Sequence, residues 1–524
     1  MAEAEAQNRR RGGRAARQAE RAAPLSDDIK PVRPGMTGGQ YKPLTDAEVL
    51  KIHNAVLDVL ETIGLGDAIP SCIEAVTAVG GRVNDEGRLL FPRALIEDTL
   101  AKAARNFTLH AQDPALDMEP SGKRVYYGTA GAAVHMVDAV TGEHRDSTLA
   151  DLYDIARLVD RLDHAAFYQR SVTTRDMVTG HDLDINTLYA CISGTTKHVG
   201  TSFVAPEHLE EGFRILHEVA GGEDKWRARP FVSMSCCFVV PPLKFAEDAC
   251  ACLEAGVRGG MPILLLSAGQ AGATSPAALA GAVVLQVAEC LAGLAYVNAI
   301  KPGAVAIMGT WPFVSDLRSG AMSGGSPEQA LLSAACAQMM HFYDLTGGVP
   351  AGMKDSKLPD AQAGAENAYT NAIVGVAGAN MVYESLGMHA SLLSSCLESY
   401  VIDNDTLGAC MRVVRGIDVT DESLSVEVIR QVCTEGPGHF LGSDQTLNLM
   451  QREYVYPEVG DRTSPKEWKE LGSTDVVTRA RARVKEILGS HYPTHIPEKI
   501  DTAIRAQSDI KLPREFVRPG NGRW

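Results

Sequence analysis

A chain of 524 residues with 45% hydrophobic content can build a large core, and 6% aromatic content leaves that core to closely packed Ala, Gly, Val and Leu. Such a composition belongs to a large α/β enzyme rather than a β-sandwich or a disordered chain. With 50 basic against 65 acidic residues the net charge is −15, and the first forty residues are net basic, so the body is more acidic still. Phosphate backbones would be repelled, which excludes nucleic-acid binding as the main function.

The most apolar stretch, Ala278 to Ile300, is interrupted by Gln286, Glu289 and Asn298 and reads as a buried helix rather than a membrane span. The start of the chain shows no apolar signal core. Eleven scattered cysteines point to a reducing compartment, the cytoplasm.

In chain order, residues 1–40 are Arg-, Ala- and Gly-rich without apolar periodicity and are expected to be a disordered basic tail. Thr45 and Glu48 form a capping box before a helix whose apolar face is Val49, Ile52, Val56, Val59, Leu60 and Ile63, stopped by Gly64. Residues 41–130 are taken as a helical accessory region, 131–480 as the main domain and 481–524 as a C-terminal helical extension.

Within the main domain, short apolar or β-branched runs begin near Val134, Phe167, His198, Phe231, Pro262, Ala304, Gly348 and Met381. Each interval has room for one strand, one helix and two loops. Ser275-Pro276 and Ser326-Pro327-Glu328-Gln329 mark helix starts. Eight such units predict an α/β fold of the (β/α)8 TIM-barrel type. The first unit is ambiguous, because Val134–Ala139 with Thr141-Gly142 could equally be a hairpin on the rim.

In such a barrel the chemistry sits at the C-terminal strand ends. This selects Gln169 and Arg170, Thr201 and Ser202, Ser235 to Cys237, Ser267 and Gln270, Gly309 to Phe313, Met353 to Ser356, and Glu384 with His389. Trp311, Phe313, Tyr343 and Tyr383 could cage a cation through their ring faces. Arg318, beside Asp316, could clamp a carboxylate. Lys354 or Lys197 could form a Schiff base. Cys236-Cys237 with Cys250 and Cys252 could hold zinc, but buried apolar cysteines are the simpler reading, and no metal site is expected. A Walker lysine loop, HExxH, a strand-linked GxGxxG and a GxSxG elbow are all missing from the sequence.

The segments AVTGEHRDSTLADLYDIARLVDRLD, SGTTKHVG, AGATSPAALAGAVVLQVAECLAG, KPGAVAIMG, DLRSGAMSGGSPE, DSKLPDAQAGAENAY and GHFLGSDQTLNLMQREYVYPEVGDRTSPKEWKELG resemble the trimethylamine methyltransferase family. The likeness is to its broad non-pyrrolysine branch, which includes glycine betaine methyltransferases. It implies a TIM barrel that moves a methyl group from an amine to Co(I) of a corrinoid (cobalamin) carried by a separate protein, with no tightly bound cofactor of its own. The pyrrolysine loop of the family would fall near Gly348 to Lys357, where ordinary residues stand, and Gln445-Thr446 replaces an expected His-Thr pair.

The resemblance therefore implies a quaternary amine such as glycine betaine as methyl donor. Trp311, Phe313, Arg318, Tyr343, Tyr383 and Gln169 are the expected substrate contacts. Lys354, Asp355, Glu384 and His389 are the expected catalytic mouth residues. The alternatives are a Schiff-base lyase using Lys354 and a non-catalytic betaine-binding subunit. A homo-oligomer is expected, and a corrinoid-protein partner, with no nucleic-acid or membrane partner.

Overall fold

The computed structural model describes residues 29–436 and 438–524. Most of the expected basic tail lies outside these residues. Met36 and Thr37, near its end, already form a strand that pairs antiparallel with Arg124–Val125.

Eight parallel strands, each followed by a helix, make a strongly curled TIM-barrel-like sheet. They are β1 (Arg124–Tyr127), β2 (Phe167–Gln169), β3 (His198–Thr201), β4 (Val232–Cys236), β5 (Ile263–Ser267), β6 (Ala306–Thr310), β7 (Gly347–Pro350) and β8 (Met381–Tyr383). β8 pairs with β1 through Met381↔Tyr126 and Val382↔Tyr127. Between β1 and β2 the contact is a single parallel bridge, Gly128↔Phe167. There the Ala166 N–H donates to the Tyr127 carbonyl at 2.7 Å.

Seven of the eight strand starts fall within two residues of the expected runs. The first does not: β1 precedes Val134, and His135–Val137 pairs antiparallel with His144–Asp146. This hairpin joins Met388–His389 and Ser394–Ser395 in a small four-stranded sheet. It decorates the end of the barrel where β1 and β8 finish.

The long apolar helix Leu279–Ile300 is buried because it is covered on both sides. Its inner face rests on β5 and β6, and its outer face carries the N-terminal helices Asp46–Thr62, Pro70–Ala78 and Arg93–Lys102. A helix that is apolar all round needs such a double cover. It begins at Leu279 rather than at Ser275-Pro276, because the Gly272, Ala273, Thr274 and Ser275 region folds back in a turn on Gln270. The Thr45–Glu48 capping box forms as expected, with the Thr45 N–H donating to Glu48 Oε2 at 2.8 Å.

At the other end, helix Val476–Ser490 packs on helices Leu397–Arg415 and Leu149–Asp160. Arg157 fastens this layer. Fully buried, it donates to Asp154 at 2.7 Å and to the His491 carbonyl at 2.8 Å, and stacks over the Tyr492 ring at 4.3 Å. A buried guanidinium held this completely repays much of its desolvation.

Candidate functional site

The mouth of the barrel is formed where the strands end and the loops turn back to the helices. Trp311 lies just past β6, and its N–H donates to the Ser267 carbonyl of β5 at 2.9 Å, so the ladder fixes its backbone. Phe313 follows in a short strand, Phe313–Val314, parallel to Gln270–Ala271. Tyr383 is the last residue of β8, held opposite Pro350 of β7. Three of the expected rings are thereby brought together. Trp311 stands 6.0 Å from Phe313 and 5.5 Å from Tyr383, and Tyr383 stands 5.0 Å from Phe167 of β2.

Several polar groups of this cluster have no partner. The indole N–H of Trp311 is buried without an acceptor, and both carboxyl oxygens of Glu384 are buried without a donor. Burial alone pushes the Glu384 carboxyl well above the usual carboxylate range, so it is neutral at pH 7. Its backbone is held in the left-handed region at φ 64°, while the next residue, Ser385, donates its N–H to the Gly128 carbonyl at 3.0 Å. A non-glycine residue in that conformation, carrying an orphaned buried carboxyl, stores strain of the kind found at ligand sites. Burial also raises the Tyr383 phenol.

Gln169 ends β2 and is buried. Its amide lies over Gly200 of β3, in the space a side chain at that position would take.

Other expected site residues hold the scaffold instead. The Lys354 ammonium is buried, donating to Asp403 at 2.5 Å and to the Met388 carbonyl at 3.2 Å. It is committed to an ion pair and is not placed as a free amine nucleophile, which corrects the Schiff-base expectation. Lys197 lies at the N-terminal end of β3, away from the mouth, where it donates to the carbonyls of Val159, Leu162 and Ala165. Burial lowers it to about 8.

Asp355 ties three loops together. It accepts from Ser323 at 2.7 Å, from the Gly325 N–H at 3.2 Å and from Ser391. His389 sits in the small rim sheet, 2.7 Å from the Ser399 hydroxyl and 3.2 Å from the Ser356 carbonyl. Burial, then the Lys354 charge, pushes it well below the usual histidine range. Both ring nitrogens are occupied, so it is a neutral strut.

Two expected contacts lie apart from the cluster. Arg318 is 92% exposed and pairs only with its neighbour Asp316, at 3.2 Å. Two residues of separation let that pair close locally on the surface. Tyr343 ends the helix that leads into β7, which puts it at the opposite end of the barrel. There its hydroxyl meets His53 Nδ1 at 3.0 Å.

The cysteine grouping does not act as a metal site. Cys236 and Cys250 donate to the carbonyls of Ala249 and Phe238. Burial raises the Cys250 and Cys252 thiols to about 12. No group of three His, Cys, Asp or Glu is placed to hold a metal among the described residues. Gln445, in the loop that departs from the expected pattern, donates to Ser425 at 2.8 Å.

Residues 10–511 match the family model described as trimethylamine methyltransferase. A trimethylamine methyltransferase of Desulfitobacterium hafniense is 31% identical over 88% of this chain and 92% of its own length. A glycine betaine methyltransferase from another strain of that species is 30% identical over 89% and 96%. The trimethylamine methyltransferase of Methanosarcina barkeri is 31% identical over 90% and 96%. The solved monomethylamine methyltransferase of Methanosarcina barkeri shares 10% identity, with TM-score 0.45, over 86% of this chain and 95% of that one. The chain is a methyltransferase and belongs to the trimethylamine methyltransferase family.

Proposed function

We propose that this protein takes a methyl group from a quaternary amine, glycine betaine or a related betaine, and passes it to a corrinoid carried by a partner protein. The observation that carries the reading is the Trp311–Phe313–Tyr383 ring cluster, directly followed in the chain by the orphaned Glu384 carboxyl. Ring faces attract a permanent cation, and a lone carboxyl in a dry site is stabilised as an anion when one arrives. The corrinoid supplies a Co(I) electron pair for the methyl carbon, while the C–N pair stays on nitrogen, which leaves as a neutral tertiary amine.

No proton has to be delivered, so the chain's own task is orientation and exclusion of water. Trp311, Phe313 and Tyr383 hold the ammonium group. Glu384 balances its charge. Asp355, Lys354 and His389 keep the surrounding loops in place without touching the donor. The residues after β7 that meet these rings are ordinary ones, so the reading needs no modified side chain.

The eleven free thiols support a cytoplasmic location. A homo-oligomer is supported by the apolar surface of the segment after helix Leu397–Arg415. There Ile417, Val419, Val426 and Leu441 are each more than half exposed, more apolar surface than an unpartnered face usually carries.

The test is to incubate the chain with a reduced corrinoid protein and either glycine betaine or trimethylamine. Release of dimethylglycine with loss of the Co(I) absorbance is expected. Demethylation of trimethylamine with every quaternary amine untouched would overturn the reading.

A further inference from the structure

Arg170 follows β2 at the mouth, and its backbone N–H donates to the Gly200 carbonyl at 2.9 Å, extending the β2–β3 ladder. Its side chain is half-buried and has no hydrogen-bond or ion-pair partner among the described residues. The groups whose charges reach it are Cys191, Cys237, Asp184 and Tyr168. Asp184 is already engaged, accepting from the Val204 N–H at 2.8 Å and from His208 at 2.6 Å. Cys237, just past β4, keeps an exposed surface. Arg170 therefore reaches from β2 across the end of β3 toward β4.

Guanidinium stays charged even where burial lowers its pKa. A desolvated charge without a partner is costly and is well placed for a ligand of opposite sign. The position of this charge around the mouth is informative. In an eight-strand cyclic order, β3 lies across the barrel from β7. Trp311 and Tyr383 end β6 and β8, on either side of β7, and Glu384 follows Tyr383. The mouth thus has an unpaired cation on one side, with rings and an unpaired carboxyl on the other.

We propose that Arg170 binds the carboxylate of a zwitterionic methyl donor whose quaternary ammonium lies against Trp311, Phe313 and Tyr383 across the mouth. The inference rests on the reading of a quaternary amine as donor, and it adds the residue that selects a betaine within that class. Choline and tetramethylammonium offer the cation without the carboxylate and leave Arg170 unpaired. A short bidentate contact from guanidinium to carboxylate supplies the discrimination.

Calorimetric titration of the full chain with glycine betaine, choline and tetramethylammonium tests this without any corrinoid. Wild type is expected to prefer betaine over choline by about tenfold or more, the scale of one charge-assisted pair. Arg170→Met should lose that preference, weakening betaine by about 10- to 100-fold and choline by less than about threefold, with Arg170→Lys recovering part of it. Because the side chain is unpartnered, Arg170→Met should keep the wild-type melting temperature. Equal losses for betaine and choline, or an unchanged betaine affinity, overturn the role of Arg170 while leaving the donor class standing. A wild-type chain that binds none of the three overturns the donor class, and this proposal with it.

Discussion

Trp311 and Tyr383 meet with ring centroids 5.5 Å apart, although they end β6 and β8 and a whole strand, β7, lies between them. The contact is possible because β7 carries Gly348 at this level. A side chain there would stand 2.8 Å from Tyr383 Cε2, in the space the ring occupies. The absence of one methyl group in β7 lets two rings close over it, and this is how a chain poor in aromatics builds an aromatic surface at its mouth.

If these rings hold a cation, replacing the best of them should weaken binding far more than it weakens the fold. Trp311→Leu keeps an apolar side chain but removes the indole face. A loss of about 1–2 kcal/mol in ligand affinity is expected, roughly 5- to 30-fold, by calorimetric titration with a quaternary ammonium ligand. Arg318→Ala is the control. Its side chain is exposed and paired only with Asp316, so affinity should not change.

Glu384 gives a prediction with a definite sign in pH. Its carboxyl is raised in the folded state by burial, whereas the unfolded chain releases the proton near 4.5. The folded form binds more protons above that pH, so the group's contribution to stability is fully present below about 4.5 and is lost as pH rises toward the folded value. Glu384→Gln removes this loss. Its melting temperature should match wild type near pH 5 and exceed it increasingly toward pH 8. Binding of a quaternary amine to wild type should also release a proton, visible as a calorimetric enthalpy that changes with the buffer's ionisation heat. Parallel melting profiles for the two proteins would show that Glu384 is not the titrating group.

The architecture was largely legible because strand and helix spacing reports a βα repeat directly. Seven strand starts stand out as β-branched or apolar runs, while β1, read as Arg-Val-Tyr-Tyr after Gly122 and Lys123, has no such contrast. The rim hairpin at His135 looked more like a strand than the strand itself. At the site, position relative to a strand end was informative for Trp311, Phe313, Tyr383 and Glu384. It misled for Tyr343, since a residue preceding a strand lies at the far end of the barrel. Charge type alone could not separate Lys354, which finds Asp403 from a distant helix, from Arg170, which finds no partner. That difference depends on long-range packing, and no local spacing carries it.

Lys354 and Asp403 form a buried pair in which each side chain is 3% exposed or less. Removing one partner leaves a buried charge. Lys354→Met should cost about 3–5 kcal/mol, read as a lowered urea midpoint, and the double variant Lys354→Met/Asp403→Asn should recover a good part of it. Borohydride treatment with carbonyl compounds should leave wild type unmodified. A trapped adduct at Lys354 would show an amine free to react.

His198 supplies the acid limit. It is buried at the start of β3, with Nδ1 2.7 Å from the His110 carbonyl and Nε2 3.0 Å from the Ser233 hydroxyl. The carbonyl requires the proton on Nδ1, so Nε2 accepts from Ser233 and the ring is neutral. Burial pushes it down to about 4. An unfolded histidine takes up its proton near 6.5, so between these values the unfolded chain binds more protons and stability falls as pH is lowered from 6.5 to 4. The full window is worth about 3 kcal/mol at 1.36 kcal/mol per pKa unit. Asparagine at this position keeps a side-chain donor and does not titrate. Urea unfolding of wild type and His198→Asn at pH 7 and pH 4 should show the wild type losing about 3 kcal/mol more than the variant. Identical acid losses in the two proteins would assign the acid sensitivity to other groups.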